Sequence, residues 1–328
     1  MSAAHLTPRA RARALALTVV VLTAALAIGA LAGPHGFSLP DEGTLALRAS
    51  RTFLAALVGA ALACTGAALQ ALLRNVLAEP FVIGVSGGAA LGGSVPLVVG
   101  VGALSAFTVP LGAVVGAIAA SLVLTAFLAR DRRAHSHATL LVGVAMNAFA
   151  SAVITVMKTL LPPDQTTSLL FWLTGTIGYV ETTSLVVVLV CVVVSIGALV
   201  ALSGDLELLA LGDDEARRLG IDVVRARVVA YLACSLAVGA VVPVSGLIGF
   251  VGVVVPHALR LTTTADMRLL VPLSALVGAS ALVVTDATAR LSFAIFSTEL
   301  PVGALTCAFG APFFAVALVR DLRERGGR

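Results

Sequence analysis

Long apolar runs, each closed by a charged or proline-bearing break, recur along the whole of this chain. A helix of roughly 17 to 25 apolar residues matches the hydrocarbon thickness of a bilayer. Ten such runs are expected to form spans, at about residues 14–32, 52–73, 81–101, 107–129, 138–161, 184–202, 223–243, 246–261, 269–289 and 301–319. The seventh and eighth are barely long enough, and they share the break VPVSG at Val242 to Gly246. The pattern predicts an all-α, multi-pass membrane protein with one transmembrane domain over residues 1–328. Composition agrees: 59% of the residues are hydrophobic and 12% charged, against roughly 25% charged in soluble domains.

Basic residues orient the spans. An even number puts both termini on one side. On that side lie Arg9, Arg11, Arg13, Arg74, Arg130, Arg132, Arg133, Arg217, Arg218, Arg225, Arg227, Arg260, Arg268, Arg320, Arg323, Arg325 and Arg328. The other side has only Arg48, Arg51, Lys158 and Arg290. The positive-inside rule therefore places both ends in the cytoplasm. The net charge of +4 reports topology and gives no indication of nucleic acid. The first run also has features of a secretory signal, with arginines before it and small residues at Ala30 to Gly33. At about 19 residues it exceeds the usual apolar region of 7 to 15, and it is expected to remain as an uncleaved first span.

The chemistry of catalysis is missing from the sequence. Cys64, Cys191, Cys234 and Cys307 stand alone inside apolar runs, without paired spacing, as small buried hydrophobes do. His135 and His137 form an HSH pair with no third ligand in view. The single lysine, Lys158, follows Met157, which excludes the GK pair of a phosphate-binding loop. Neither an enzyme nor a bound cofactor is expected. Transport remains. A proton-coupled carrier usually keeps an ionisable group at mid-membrane, but Lys158 and Asp286 both fall near outer span ends, and Asp286 stands four residues before Arg290, where the two can pair. Such a carrier is the alternative from another class; energy supplied by a partner is the favoured one.

The loop after the sixth run, SGDLELLALGDDEARRLGID from Ser203, predicts two short helices broken at Gly212. Asp213, Asp214 and Glu215 open the second and Arg217 and Arg218 close it, each sign matching the helix dipole, while Gly220 suits the stop. Leu206, Leu209, Leu211, Leu219 and Ile221 give it an apolar side, suited to a motor subunit or to the membrane surface. Five of the last ten residues of RNVLAEPFVIGVSGGAALGG, Arg74 to Gly93, are glycine. Gly84, Gly87, Gly88, Gly92 and Gly93, with Ser86, allow helix backbones to approach closely, and Pro80 suits the start of a helix. At VPVSG, around Pro243, Ser245 and Gly246, segment length predicts a broken or re-entrant helix bordering a pathway. Spans two to five and seven to ten begin on opposite sides, as inverted repeats do.

RNVLAEPFVIGVSGGAALG, LLALGDDEARRLGID, GLIGFVGVVVPHALRL and ELPVGALTCAFGAPFFAVALVR, in this order from about residue 40 to 320, resemble the signature segments of bacterial permease subunits of type II ABC importers for ferric siderophores, haem and cobalamin. The family often has RNPLA where this chain has Arg74-Asn75-Val76-Leu77-Ala78. The resemblance implies the ten-helix fold of those permeases in the bacterial cytoplasmic membrane. Its implied partners are a second permease subunit (like or unlike), two cytoplasmic ATPase subunits, an outer substrate-binding protein and membrane lipid. It implies a coupling helix at about 205–220, with Leu209, Leu211, Gly212, Asp213, Glu215, Ala216, Arg217, Leu219 and Gly220 against the ATPase. It further implies that Gly84, Ser86, Gly87 and Gly88 pack near the translocation path and that Arg48, Arg51 and Arg290 dock the binding protein. Arg74, Asn75, Pro256, His257 and Arg260 belong to the cytoplasmic gate or motor contact, although PHALR also fits an ordinary kinked helix end with an interfacial arginine. Ferric siderophore is the expected cargo, with haem or cobalamin next.

Overall fold

A computed structural model of the chain describes residues 7–81, 84–99, 108–130 and 136–326. Its elements are α1 (Pro8–Leu31), a hairpin of β1 (Ala32–Gly33) and β2 (Gly36–Phe37), α2 (Glu42–Leu72), α3 (Val85–Val98), α4 (Thr108–Arg130), α5 (Ser136–Leu160), α6 (Pro163–Leu173), α7 (Thr182–Ala201), α8 (Ser203–Leu211), α9 (Asp213–Arg218), α10 (Val223–Ser245), α11 (Val251–Thr262), α12 (Met267–Leu291), α13 (Phe293–Phe296) and α14 (Val302–Gly326).

Burial explains the arrangement. From Leu54 to Leu72, α2 is apolar and buried on nearly every face, which marks a helix at the centre of a bundle. It touches α12 where the backbones of Gly59 and Gly278 meet, and α11 where those of Gly66 and Gly252 meet. The glycine-rich α3 lies antiparallel to α4. Gly88 faces Gly116 and Gly92 faces Gly112, two GxxxG spacings set against each other so closely that a methyl at any of the four would strike backbone. α1 packs through Gly29 against Thr52 of α2 and Val283 of α12, and Arg11 pairs with Asp266 at 2.9 Å. One face of α7 stays open, with Val186, Val190, Val193 and Val194 exposed.

Each of the ten expected spans has a helix in its place. Among the described residues, six helices are long and apolar enough to cross a bilayer, α1, α2, α5, α7, α10 and the α12–α13 stretch, while the apolar parts of α4, α11 and α14 are shorter. α2 starts ten residues before its apolar run, at Glu42. With 14 and 12 residues, α3 and α11 extend about 21 and 18 Å, short of a hydrocarbon core of about 30 Å. The hairpin, α6 and α13 were not expected. Their apolar runs are too short to register as spans; Gly36 permits the hairpin turn at φ 112°.

The break expected at Val242 to Gly246 is present but lies four residues later, because α10 carries Pro243 within its last turn. α10 ends at Ser245, residues 246–250 are not helical, and α11 starts at Val251. Gly246 (φ 66°) and Phe250 (φ 68°) both lie in the left-handed region, which only glycine enters without strain.

Candidate functional site

Non-helical backbone is tolerated within a membrane only where protein surrounds it and satisfies its polar groups. Residues 246–250 are enclosed by backbone at the end of α6 and around Gly175, and by the side chain of Glu79. Gly246 lies against the carbonyl of Trp172 at the end of α6, leaving no room for a side chain. The indole Nε1 of Trp172 donates to the Pro243 carbonyl at 3.0 Å. Gly175 (φ 77°) packs against Leu247, and Gly303 N donates to the Gly175 carbonyl at 2.9 Å. At the lower end of the break, Phe250 N donates to the carboxylate of Glu79 at 3.1 Å. Beside the break, Phe250, Val254, Phe309 and Phe313, with Thr285 and Thr306, line an open apolar groove between α11, α12 and α14.

The turn between α2 and α3 belongs to the same assembly. Arg74 adopts φ 49°, and the Oδ1 of Asn75 accepts from Leu77 N at 2.8 Å, an Asx turn that fixes the chain reversal. The Arg74 guanidinium lies over Gly212, whose φ of 130° joins α8 to α9. At the end of α2, Gln70 donates to the Gly252 carbonyl at 3.1 Å and accepts from Arg260. His257 stacks edge-on with Phe314, their ring centres 6.2 Å apart, and Pro256 is buried within α11.

The α8–α9 unit follows the expected pattern in its charges. Asp214 pairs with Arg217 at 3.1 Å, Glu215 with Arg218 at 3.3 Å and Asp213 with Arg227 of α10 at 2.7 Å. Its apolar residues divide. Leu206, Leu209 and Ala216 are buried, where they hold the unit to its own bundle. Leu211 and Leu219 are exposed at 64% and 59%. Leu209 and Ala216, expected at the ATPase contact, therefore face inward; packing the short helices onto α2, α10 and α12 uses those positions.

At the opposite end, the three basic residues expected to dock a partner differ in availability. Arg290 is buried, with its guanidinium 3.1 Å from Asp286 and donating to the Ala32 carbonyl at 2.8 Å. The Asp286–Arg290 pair was expected, but its burial leaves Arg290 no surface for a partner. Arg51 joins the pair from α2, donating to Asp286 at 3.0 Å and to Glu299 at 2.9 Å. Arg48 is half-buried and donates to the carbonyls of Leu31 and Ser38.

The sequence matches the FecCD transport family over residues 13–320. The chain belongs to that family. FecCD proteins are multi-pass permease subunits of ABC importers; ATP hydrolysis resides on a separate ATPase subunit, and a partner permease and a substrate-binding protein complete the system. Among relatives, the vitamin B12 import system permease protein BtuC of Vibrio cholerae is 44% identical over 284 residues, covering 87% of this chain and 85% of the relative. The hemin transport system permease protein HmuU of Yersinia pestis is 36% identical, with 86% and 85% covered. A solved metal-chelate type ABC transporter in an inward-facing conformation superposes with a TM-score of 0.81 at 27% identity, over 92% of this chain and 97% of that one.

Within the FecCD fold, the RNVLA turn meets the Gly212 joint through Arg74, and Gln70, just before that turn, accepts from Arg260 of PHALR. Ser86, Gly87 and Gly88 are engaged inside the chain. Gly87 abuts Asn147 of α5, Gly88 abuts α4, and Gly84 (φ 87°) packs against Met146. Ser245 bonds to the Val241 carbonyl at 2.8 Å, so Ser245 and Gly246 serve packing. His135 lies outside the described residues, and no group of three or more metal-ligating side chains occurs among the described ones. Sequence reasoning missed Glu79, Gln70, Trp172, Gly112 and Gly116. The GxxxG spacing at 112–116 was the one signal available for these positions; the others bond to partners 71 to 190 residues away.

Proposed function

We propose that the chain is the permease subunit of an ATP-driven importer for a bulky metal chelate of the tetrapyrrole type, a corrinoid or haem. The observation that carries this reading is the family match from residue 13 to 320, which takes in the break, the groove and the α8–α9 unit alike. Relatives named for vitamin B12 and hemin import, at 44% and 36% identity, favour a tetrapyrrole-type cargo over the ferric siderophore expected from the sequence. The α9 end, with both termini, is cytoplasmic in this proposal, as the distribution of arginines requires. There Leu211 and Leu219 offer an exposed apolar surface to the ATPase, and Gly212 is the joint that lets α8 and α9 respond. The break and its groove border the path, completed by a second permease subunit, and a wall of Phe, Val and Thr side chains is suited to a large cargo that must not be held tightly. At the outer end Arg48 is the docking cation, with Arg51 partly available. Uptake of labelled cyanocobalamin, haemin and a ferric siderophore by the complex in proteoliposomes tests the cargo. Saturable uptake of a tetrapyrrole chelate alone is expected; uptake of the siderophore alone overturns the choice.

A further inference from the structure

α11 starts inside the bundle, and the first backbone amides of any helix have no partner within the helix. Its own N-cap residue, Phe250, offers no side-chain acceptor. The acceptor comes from 171 residues away: the Glu79 carboxylate takes the Phe250 N–H at 3.1 Å, and Glu79 is only 5% exposed. A negative group there is favoured by the dipole of α11. The contact of Gly66 with Gly252 puts this helix start six residues above the end of α2, about 9 Å along the axis.

The other end of α11 is held from the same source. Gln70, in the last turn of α2, bonds to the Gly252 carbonyl at the top and accepts from Arg260 near the bottom. Between Gln70 and Glu79 runs the turn whose Arg74 lies over Gly212. One short stretch, residues 70–79, thus grips α11 at both ends and touches the α8–α9 joint.

Resting on the importer reading, we infer that Glu79 and Gln70 are positioning residues that clamp α11 to the end of α2, so that displacement of the Gly212 joint is passed through Arg74 to the helix break. Rigid transmission requires a bond strong enough to move the break with the turn. Burial raises the pKa of Glu79 to about 7, and above that pH its hydrogen bond to backbone at the helix start is charge-assisted, about twice as strong as a neutral one. Glu79 is then a coupling element that never touches cargo, and weakening it separates ATP hydrolysis from transport.

The test compares Glu79→Gln, Glu79→Asp and Glu79→Ala in the complete complex with its ATPase and binding protein, measuring uptake per ATP hydrolysed. At pH 8, where Glu79 is mostly ionised, Glu79→Gln keeps the shape and loses the charge. It is expected to lower uptake per ATP about fivefold at a normal membrane level, with Glu79→Asp nearer the parent and Glu79→Ala lower still. A second readout needs no transport: the thiol of Cys307, exposed on α14, lies beside Gly249 of the break. In a Cys191→Ser background, where the other two cysteines are buried, maleimide modification of Cys307 is expected to quicken about threefold in Glu79→Gln, a loosening of the order of one weakened hydrogen bond. Unchanged uptake per ATP together with an unchanged Cys307 rate in Glu79→Gln overturns the clamp. A parent complex that shows no ATP-dependent uptake overturns the proposed function instead, and leaves the Cys307 comparison to decide the clamp alone.

Discussion

Replacing Asp286 by alanine should be among the most damaging single changes in the protein, and the structure sets the scale. Asp286 is 0% exposed. It is the carboxylate for two guanidinium groups, Arg51 at 3.0 Å and Arg290 at 3.1 Å. Without it Arg51 retains Glu299 at 2.9 Å, but Arg290, itself buried, retains only the neutral Ala32 carbonyl. Stranding one member of a buried pair costs about 3 to 5 kcal/mol. The remaining Ala32 bond argues for the lower end, about 3 kcal/mol, or roughly 150-fold in the folding equilibrium. Removing both charges in Asp286→Leu/Arg290→Met should recover most of that loss, since apolar replacements of buried pairs are often neutral. Reversible unfolding by sodium dodecyl sulfate in mixed micelles, followed through the single tryptophan, gives both numbers. A single variant within about 0.5 kcal/mol of the parent, far below the expected cost, or a double variant less stable than the single one, refutes the reasoning.

Two glycines of the break should separate sharply: Gly246→Ala drives a methyl into the Trp172 carbonyl at a positive φ, whereas the nearest atoms to a methyl at Gly249 are 3.8 Å away. Gly246→Ala is expected to lose monodisperse protein on size-exclusion chromatography and Gly249→Ala to keep it; equal yields contradict the packing described. Leu211→Glu, at an exposed position, should abolish ATP-driven uptake at normal protein level, while Leu209→Glu, at a buried one, should lower the level itself; immunoblot and uptake together decide, and normal uptake by Leu211→Glu removes the coupling role. Arg48→Glu should slow association of the binding protein by no more than about fivefold, the worth of an exposed pair of 0.2 to 1 kcal/mol, and chiefly at low salt. Unchanged kinetics in nanodiscs across a salt series exclude docking by Arg48.

Much of the fold is written in local features of the sequence. Apolar length located ten helices, and the two shortest adjacent runs signalled the break but placed it at VPVSG, about one turn early. The signs at Asp213 to Arg218 and the glycines at 212 and 220 located the α8–α9 unit, because capping and dipole effects act within a turn. The site was less legible, because its bonds join residues remote in the chain. Nothing near Glu79 in the sequence announces that its acceptor serves Phe250, and nothing near Arg51 announces Asp286. The same limit explains the corrections: the local pattern gave the leucines of α8 and α9 an apolar side and the resemblance added Ala216, but which of them the bundle would claim depended on α2, α10 and α12.

In the proposed function, transport through this chain draws its energy from an ATPase partner. Proteoliposomes containing the chain with its ATPase and binding protein, loaded with ATP or with a nonhydrolysable analogue, and with or without an imposed proton gradient, measure that directly through the initial rate of labelled chelate uptake. Uptake that requires hydrolysable ATP and is indifferent to the proton gradient is the predicted result. Uptake driven by the gradient in the absence of ATP would contradict the claim and identify a proton-coupled carrier.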